Sequence, residues 1–282
     1  MRVRPMLRDD IPGGMKLVEA AGWNQTEADW KRFLDANAPG CFVAEADGEV
    51  CGTAASIIYE SRVAWIGMVL VSPAYRGRGI ATRLLETVLE RLQLLRIPAI
   101  KLDATPQGMS LYRSLGFAPE YEIERWKLTA RNSLGEFKGS QPQEVHLSLD
   151  EIIKTDRAIF GADRDALLRS LHRDAPTFTA AVTVGDALAG YTLGRRGLHA
   201  GHLGPWMARD EGIAAHLLRR FLAQSARATV IVDVLKSNAA AGNLLRSLNF
   251  EVSRPLTRMA YGATPSASKP EHLYAIVGPE FG

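Results

Sequence analysis

The apolar residues of the chain alternate between two spacings, which predict strands and helices in turn. Short apolar runs predict strands, and apolar residues that recur every three or four positions predict helices. The run at 63–71 is apolar nearly throughout, so we expect a strand covered on both faces. Thr26 and Asp29 precede an amphipathic stretch and predict a capped helix. The first half is then predicted to continue with strands at 41–46, 50–58 and 63–71, a helix at 79–95, a strand at 99–104, a helix at 108–115 and a strand at 121–128.

A similar order returns after the Gly-, Ser- and Pro-containing stretch 130–143, which has the composition of a linker. The tail is predicted to begin as a linker and to end in a strand near 272–277. The second half is predicted to contain helices at 150–160 and 163–173, strands on either side of Gly185-Asp186, a strand entering Leu203, a helix at 212–224, a strand at 229–235, a helix at 238–248 and a strand at 251–261.

Two short motifs occur twice at one offset. Arg76-x-x-Gly79-Ile80-Ala81 returns as Arg209-x-x-Gly212-Ile213-Ala214, and the motif 111–117 returns as 244–250 with five of seven residues unchanged. Both repeats lie 133 residues after the first copy (209 − 76 and 244 − 111). A shared offset for two separate motifs predicts an internal duplication. We therefore predict domains at 1–129 and 144–282, joined by the linker 130–143.

Composition narrows the function only slightly. The net charge of +3 and the absence of a basic cluster with interleaved aromatics argue against a nucleic-acid partner. No apolar run approaches the ~18 residues of a membrane helix, and the N-terminal residues lack a signal-peptide core. Across the predicted turn Cys51 lies near Ala44 and not near Cys41, so we expect two free thiols, a cytoplasmic protein and no metal site. Oligomeric state is not indicated.

The loop between the strand at 63–71 and the following helix has a composition suited to a phosphate. Gly77 and Gly79 permit tight backbone geometry and leave N–H groups uncovered at the positive end of the helix. Arg76 and Arg78 add charge and donors. The loop therefore predicts pyrophosphate binding. The alternative is a helix start with a glycine turn and two solvated arginines.

The segment 71–81, Val-Ser-Pro-Ala-Tyr-Arg-Gly-Arg-Gly-Ile-Ala, resembles the acetyl-CoA loop of the GNAT N-acetyltransferase superfamily. The motif 111–117, Leu-Tyr-Arg-Ser-Leu-Gly-Phe, resembles the next helix and strand of that superfamily. The resemblance covers about residues 2–128 and is weak for 144–282. It implies an α/β (α+β) fold of tandem GNAT-like domains, each a mixed, mostly antiparallel and splayed sheet flanked by helices.

The resemblance also implies where the cofactor lies. Backbone N–H groups of the loop would bind the CoA pyrophosphate, and pantetheine would lie along Met68 to Val71 like an added strand. The sheet should splay between 63–71 and 99–104. Thr105 stands where the family usually has a pantetheine-binding asparagine. The cofactor-binding residues so predicted are Met68, Val69, Val71, Arg76, Gly77, Arg78, Gly79, Ile80, Ala81, Thr82 and Thr105.

Tyr112 matches the usual general acid of the family, a phenol that protonates the departing sulfur. The alternative is a packed tyrosine with its hydroxyl on a carbonyl. Many relatives carry a carboxylate on the strand before the loop, but 65–70 contains none. The nearest acidic residues in sequence are Glu60 and Asp103, and the alternative for each is a solvated or structural carboxylate. A water relay, or an amine already deprotonated in the pocket, would replace a carboxylate base.

Acceptor binding is predicted for the helical region before the first hairpin. Trp23 and Asn24 there, and Trp65 on the strand, offer aromatic walls and an amide hydrogen-bonding group. The alternative is that the tryptophans belong to the core.

The second copy departs from the family pattern. Asp210-Glu211 replaces Gly77-Arg78 and places carboxylates where phosphate oxygens would lie, and Leu245 replaces Tyr112. We predict a noncatalytic copy that packs on the first and helps to wall the acceptor pocket.

The sequence thus predicts an enzyme that moves an acetyl group from acetyl-CoA to a primary amine of a small molecule by direct attack. One alternative is a noncatalytic acyl-CoA sensor. The other is a protein or peptide N-terminal acetyltransferase. No covalent intermediate is expected, because neither cysteine has the context of a nucleophile.

Overall fold

The computed structural model describes residues 1–37, 40–129, 148–262 and 272–282. These residues form two compact units. Unit 1 contains 1–120, 259–262 and Phe281, and unit 2 contains the described parts of 121–258, 272–280 and Gly282. The predicted linker 130–143 and the linker-like start of the tail lie outside the described residues. The domain limits 1–129 and 144–282 stay a prediction.

Unit 1 begins with a short strand and two helices and then follows the predicted order. Its elements are β1 (Arg2–Pro5), α1 (Ile11–Ala20), α2 (Glu27–Asn37), β2 (Cys41–Ala46), β3 (Glu49–Tyr59), β4 (Val63–Val71), α3 (Ile80–Leu94), β5 (Ala99–Ala104), α4 (Met109–Ser114) and the start of β6 (Ala118–Leu128). β1 and α1 had not been predicted.

The sheet of unit 1 runs β1-β2-β3-β4-β5, antiparallel except for the parallel β4–β5 pair. The apolar side of α3 packs on one face of the sheet, with Leu84 and Val88 fully buried. Met259 and Tyr261, near the end of the last long strand of the chain, join this core. Trp30 of α2 is buried against α1, where Gly14 leaves room for its ring.

Unit 2 repeats this order. Its elements are the rest of β6, α5 (Leu149–Phe160), α6 (Asp165–Asp174), β7 (Ala180–Val184), β8 (Ala187–Arg196), β9 (Gly201–Ala208), α7 (Glu211–Gln224), β10 (Val230–Leu235), α8 (Ala239–Ser247), most of β11 (Glu251–Gly262) and β12 (Leu273–Ala275). β7, β8 and β9 are antiparallel neighbours, β9 and β10 are parallel, and β12 pairs with β9.

The last strand of each copy is grouped with the other unit. β6 follows the first copy in sequence, but within unit 2 it pairs antiparallel with β10 from Ile123–Leu235 to Leu128–Val230. In unit 1 the neighbour of β5 is the end of β11. The mixed, mostly antiparallel sheet and the duplicated order were predicted and are confirmed, whereas this exchange of strands was not foreseen.

Local predictions near the first hairpin are also confirmed. Asp47 and Gly48 both have positive φ, as a two-residue hairpin turn requires. The Cys51 thiol lies 3.3 Å from the Ala44 carbonyl oxygen, and Cys41 and Cys51 are buried and not joined by a disulfide. Burial raises the pKa of Cys41 to about 12, so this thiol stays protonated and is a poor nucleophile.

Candidate active site

A β-bulge interrupts β4 just before the glycine loop. Thr53 of β3 is opposite Leu70 and Ala55 is opposite Gly67, so two residues of β4, Met68 and Val69, share one place opposite β3. Met68 has φ of +55° and its side chain is buried. A bulge leaves backbone N–H groups out of the ladder, and positive φ at a buried non-glycine residue stores strain. The bulge thus presents backbone donors near the end of β4.

The bulge also changes which side chains of β4 face the core. Ala64 and Ile66 pack toward α3 before the bulge, and Val69 and Val71 pack there after it. The one-residue shift preserves core packing on both sides of the bulge. Without the bulge, one of the two pairs would face away from α3.

Thr53 fixes the bulge from the neighbouring strand. Its fully buried hydroxyl donates to the Met68 carbonyl oxygen at 2.8 Å. We expect Thr53→Val to lower the free energy of unfolding by roughly 1–3 kcal/mol, because the Met68 carbonyl would lose a buried donor.

Chemical denaturation measures this loss. Thr87→Val is the matched control, since the Thr87 hydroxyl donates to Arg83 on the exposed surface of α3. Equal stability of the two variants would contradict a role for Thr53 in holding the bulge.

The two parallel strands of unit 1 separate at the same level. β4 and β5 pair from Val63–Ala99 to Trp65–Lys101, and among the described residues the pairing stops there. From Ile66 onward the β4 edge that faces β5 therefore has unpaired backbone groups. The predicted splay between 63–71 and 99–104 is confirmed, and it opens beside the bulge.

The loop after β4 leads directly into the N-terminus of α3. Gly77 and Gly79 have φ of +74° and +73°, values that favour glycine, and no atom crowds either position. Gly79 is the N-cap of α3, and no side chain caps its first turn. The first turn also contains no acidic residue. The backbone donors of Ile80, Ala81 and Thr82 therefore face a helix end suited to an anion.

The two arginines of the loop are exposed and held at its edge. Arg76 donates from Nε to the Val71 carbonyl at 3.2 Å, and the Arg78 guanidinium lies 5.1 Å from the centre of the Tyr75 ring. Tyr75 donates its hydroxyl to Asp47 at 3.0 Å. These contacts position the loop and leave guanidinium donors for a ligand.

Tyr112 lies in α4 with its ring fixed by neighbours. A Cβ on Gly108 would come within 2.8 Å of the ring, so glycine is needed there, and Phe117 packs edge-on at 6.1 Å between centroids. Burial raises the pKa of Tyr112 to about 12. The phenol therefore keeps its proton at neutral pH.

The predicted acceptor residues differ in exposure. Trp23 is half-buried between α1 and α2, Asn24 is buried, and Trp65 is 1% exposed on the face of β4 away from α3. Asp29 accepts from the Thr26 N–H at 2.8 Å, as predicted for the cap of α2. The acceptor roles of Trp23, Asn24 and Trp65 stay predictions.

The two acidic residues differ in their distance from the bulge. Glu60 lies in the turn before Val63, and Val63 to Met68 spans roughly 17 Å along an extended strand. Asp103 is two residues past Lys101 on β5, where the strands separate, and it is half-buried on the face away from the α3 core. Residues 1–120 contain no histidine. Asp103 is thus the better placed of the two carboxylates.

Both halves of the chain match GNAT family models. The model described as "Acetyltransferase (GNAT) family" matches residues 12–117, and the one described as "Acetyltransferase (GNAT) domain" matches residues 152–275. The chain belongs to the GNAT superfamily. It is a tandem GNAT protein, and the bulge, the splay and the glycine loop described above lie within the first match.

Curated relatives span nearly the whole tandem GNAT chain. Holothin acyltransferase of Pseudoalteromonas sp. (strain SANK 73390) is 26% identical over 264 residues, which cover 93% of this chain and 88% of the relative. The Bacillus subtilis (strain 168) protein YitH, described as an uncharacterized N-acetyltransferase, is 22% identical and covers 97% of this chain and 96% of its own length. The chain is therefore related to acyltransferases along its length.

Solved structures support the tandem GNAT fold. A Pyrococcus horikoshii protein, provisionally described as an acetyltransferase, has a TM-score of 0.83 at 24% identity and covers 100% of this chain and 95% of its own. A tandem GNAT protein from the clavulanic acid biosynthesis pathway has a TM-score of 0.64 at 16% identity, with 94% and 99% covered. In the described part of the chain, every helix is too short or too polar to cross a membrane.

Proposed function

We propose that this tandem GNAT protein transfers an acetyl group from acetyl-CoA to a primary amine of a small molecule, and that the reaction takes place in unit 1. The observation that carries the proposal is the sequence of features along one strand. The β4–β5 pairing stops at Trp65, the bulge follows at Met68, and an uncapped helix start follows at Gly79.

Each feature suits one part of acetyl-CoA. The pyrophosphate would accept N–H groups from the loop between Gly77 and Thr82, with Arg76 and Arg78 beside it. Pantetheine would pair with the open edge of β4 from Met68 to Val71, as an added strand does. Thr105, directly after β5, is a second candidate partner for pantetheine.

The thioester would then lie at the bulge. A backbone N–H of the bulge donates to the carbonyl oxygen and stabilises the negative charge that develops there. The amine nitrogen attacks the carbonyl carbon, the carbon–sulfur bond breaks, and the sulfur takes the Tyr112 proton. Holding both reactants in one cleft supplies much of the acceleration.

The amine must lose a proton during the reaction. We assign Asp103 as the acceptor of that proton, directly or through one water, because it lies where β4 and β5 separate. Trp23, Asn24 and Trp65 are the candidates for acceptor contacts. The relative described as holothin acyltransferase supports an acyltransferase function.

The experiment that tests this assignment is release of free thiol from acetyl-CoA with a panel of primary amines. We expect Asp103→Asn to lower kcat by about 100-fold, the contribution of a positioned base. Glu60→Gln is the matched control and should leave kcat unchanged, because Glu60 lies at the far end of β4.

Equal effects of the two substitutions would remove Asp103 from the mechanism. Acetyl-CoA binding without turnover on any amine would instead favour the acyl-CoA sensor. Turnover only on peptide N-termini would favour the peptide acetyltransferase.

A further inference from the structure

Unit 2 has the same opening between strands as unit 1. β9 and β10 pair in parallel from Gly201–Val230 to Leu203–Val232. β9 also has a register shift, since Thr192 is opposite Trp206 and Gly194 is opposite Leu203. Gly204 and Pro205 thus share one place opposite β8, as Met68 and Val69 do in unit 1. Pro205 has no N–H, so the shifted position has one donor fewer.

The opening in unit 2 is filled by β12. Leu273 and Ala275 of β12 pair antiparallel with Met207 and Trp206 of β9. The Ile276 N–H donates to the carbonyl oxygen of Asp233 in β10 at 3.0 Å. β12 and the residue directly after it therefore form backbone hydrogen bonds to both β9 and β10 at the point where these strands separate.

Asn238 adds a side-chain contact to the same strand. It lies just after β10, as Thr105 lies just after β5, and its Nδ2 donates to the Leu273 carbonyl at 3.1 Å. Its Oδ1 accepts from the Ala241 N–H at 3.0 Å and caps α8. One amide thus joins β12 to the start of the helix.

Most side chains of β12, and that of Ile276 after it, are buried inside unit 2. Tyr274 is buried with its ring 4.9 Å from Trp206, and Ile276 belongs to a buried cluster with Ile123 and Leu235. A Cβ on Gly204 would come within 2.0 Å of the Ile276 carbonyl oxygen, so only glycine permits this approach.

A buried arginine holds the residues that follow β12. Arg195 donates from Nη1 to the Val277 carbonyl at 3.0 Å and pairs with Glu280. Gly278 packs on the same guanidinium, where a Cβ would lie 2.8 Å from Nη2. The segment is therefore fixed at both ends.

The helix start of unit 2 is also occupied by the protein's own groups. Asp210 accepts from the Ile213 N–H at 2.9 Å, and Glu211 adds a second carboxylate. The corresponding turn of α3 has no side-chain cap. In unit 2, the helix start that would bind an anion is thus capped by Asp210, and the strand edge that would pair with pantetheine is paired with β12.

We propose that Leu273–Val277 is an internal strand ligand, and that the groove between β9 and β10 binds an extended apolar peptide segment in place of acyl-CoA. The comparison with acyl-CoA rests on the proposed function of unit 1. We therefore expect the chain to bind one acyl-CoA. Replacing the acidic residues Asp210 and Glu211 of the unit 2 loop would not create a second site, because β12 occupies the place that pantetheine would take.

Calorimetric titration of Asp210→Gly/Glu211→Arg, which gives unit 2 the loop sequence of unit 1, tests the first consequence. We expect one acetyl-CoA per chain for the wild-type protein and for this variant. A second equivalent in the variant would overturn the proposal. No binding by either protein would contradict the function proposed for unit 1, and the strand is then decided by the following measurement.

Hydrogen exchange in the full-length chain tests the strand directly. Ile276→Pro removes the N–H that bonds to Asp233, and we expect exchange at 206–208 to accelerate by about tenfold, as loss of one or two hydrogen bonds implies. A synthetic peptide of residues 272–278 should restore protection. Val184→Pro, at the exposed end of β7, is the control and should leave 206–208 unchanged. Unchanged exchange in Ile276→Pro, or no restoration by the peptide, would overturn the proposal.

Discussion

Tyr112→Phe lowers kcat for acetyl transfer by about 100-fold and leaves the affinity for acetyl-CoA unchanged, because it removes a proton donor and no binding group. The ring is fixed between Gly108 and Phe117, so phenylalanine fits the same place. The pKa of Tyr112, raised by burial to about 12, keeps the phenol protonated as the pH rises. We therefore expect no decrease in kcat from ionisation of Tyr112 up to about pH 10, well below that pKa.

The measurement is free-thiol release under saturating acetyl-CoA, with binding followed separately by calorimetry. Tyr261→Phe is the matched control, because Tyr261 lies in the same aromatic cluster, 5.6 Å from Phe117, and its hydroxyl bonds to Gln93. Equal loss in both variants would indicate a packing effect. No loss in Tyr112→Phe would remove Tyr112 from the mechanism.

Asp233→Leu lowers the free energy of unfolding of unit 2 by about 3–5 kcal/mol, because it leaves buried positive charge without its partner. Asp233 is fully buried and accepts two hydrogen bonds from Arg125, at 2.7 and 2.8 Å. It also bonds to Nε2 of His202 at 2.9 Å, and Nδ1 of His202 lies 2.9 Å from Arg195. Since Arg195 can only donate, His202 is neutral with its proton on Nε2.

Chemical denaturation followed by tryptophan fluorescence, to which Trp126 and Trp206 of unit 2 contribute, measures this effect. Lys236→Ala is the control, since its ion pair with Glu122 also joins the β10 and β6 regions but is exposed. We expect the control to leave stability nearly unchanged. A small effect of Asp233→Leu would mean that the buried network contributes little beyond its volume.

The same network makes unit 2 sensitive to acid. Burial and the charge of Arg195 lower the pKa of His202, so stability falls as the pH drops below the unfolded value of about 6.5. Burial alone would raise the pKa of Asp233, but Arg125 and His202 hold it well below its usual range. Its contribution is present above the unfolded value of about 3.9 and is lost as the pH falls further. In Asp233→Leu, the loss of stability that begins below about pH 3.9 should therefore be absent.

The sequence was sufficient for elements with strong local patterns. The ranges of β4 and β5 were predicted to the residue. β4 is an apolar run, and β5 alternates apolar residues with Lys101 and Asp103, so both have a strand pattern. β1 and α1 were missed for local reasons. β1 alternates Arg with Val and Pro, and the first turn of α1 contains Gly13 and Gly14, which disfavour a helix.

Features that depend on register could not be predicted. The bulge at Met68 adds one residue to an apolar strand and leaves no mark in composition. Thr53, which holds the bulge, is one of several polar residues of β3, with Glu49 and Ser56, and does not by itself indicate a bulge. The choice of Asp103 over Glu60 needed the β4–β5 register. The exchange of β6 and β11 has no local signal, since the residues of a strand predict the strand itself and not the strand that it pairs with.

The site of unit 1 was accessible from sequence because its loop chemistry is local. The sequence predicted tight backbone geometry at Gly77 and Gly79, and both residues have positive φ. In unit 2 the acidic loop was also visible, but the place of β12 was not. The sequence predicted a strand near 272–277 but not the strand that it pairs with. The pairing of Leu273 and Ala275 shows that the partner is β9.

Calorimetric titration of acetyl-CoA into the wild-type protein and into Arg76→Ala/Arg78→Glu tests whether the glycine loop of unit 1 binds acyl-CoA. We expect micromolar binding with one equivalent per chain, and at least about 100-fold weaker binding in the variant, because two charge-assisted contacts to the pyrophosphate are lost and one is replaced by repulsion. Binding that is absent from the wild-type protein, or equal in both proteins, would mean that the loop only starts α3 and would contradict an acyl-CoA site in unit 1.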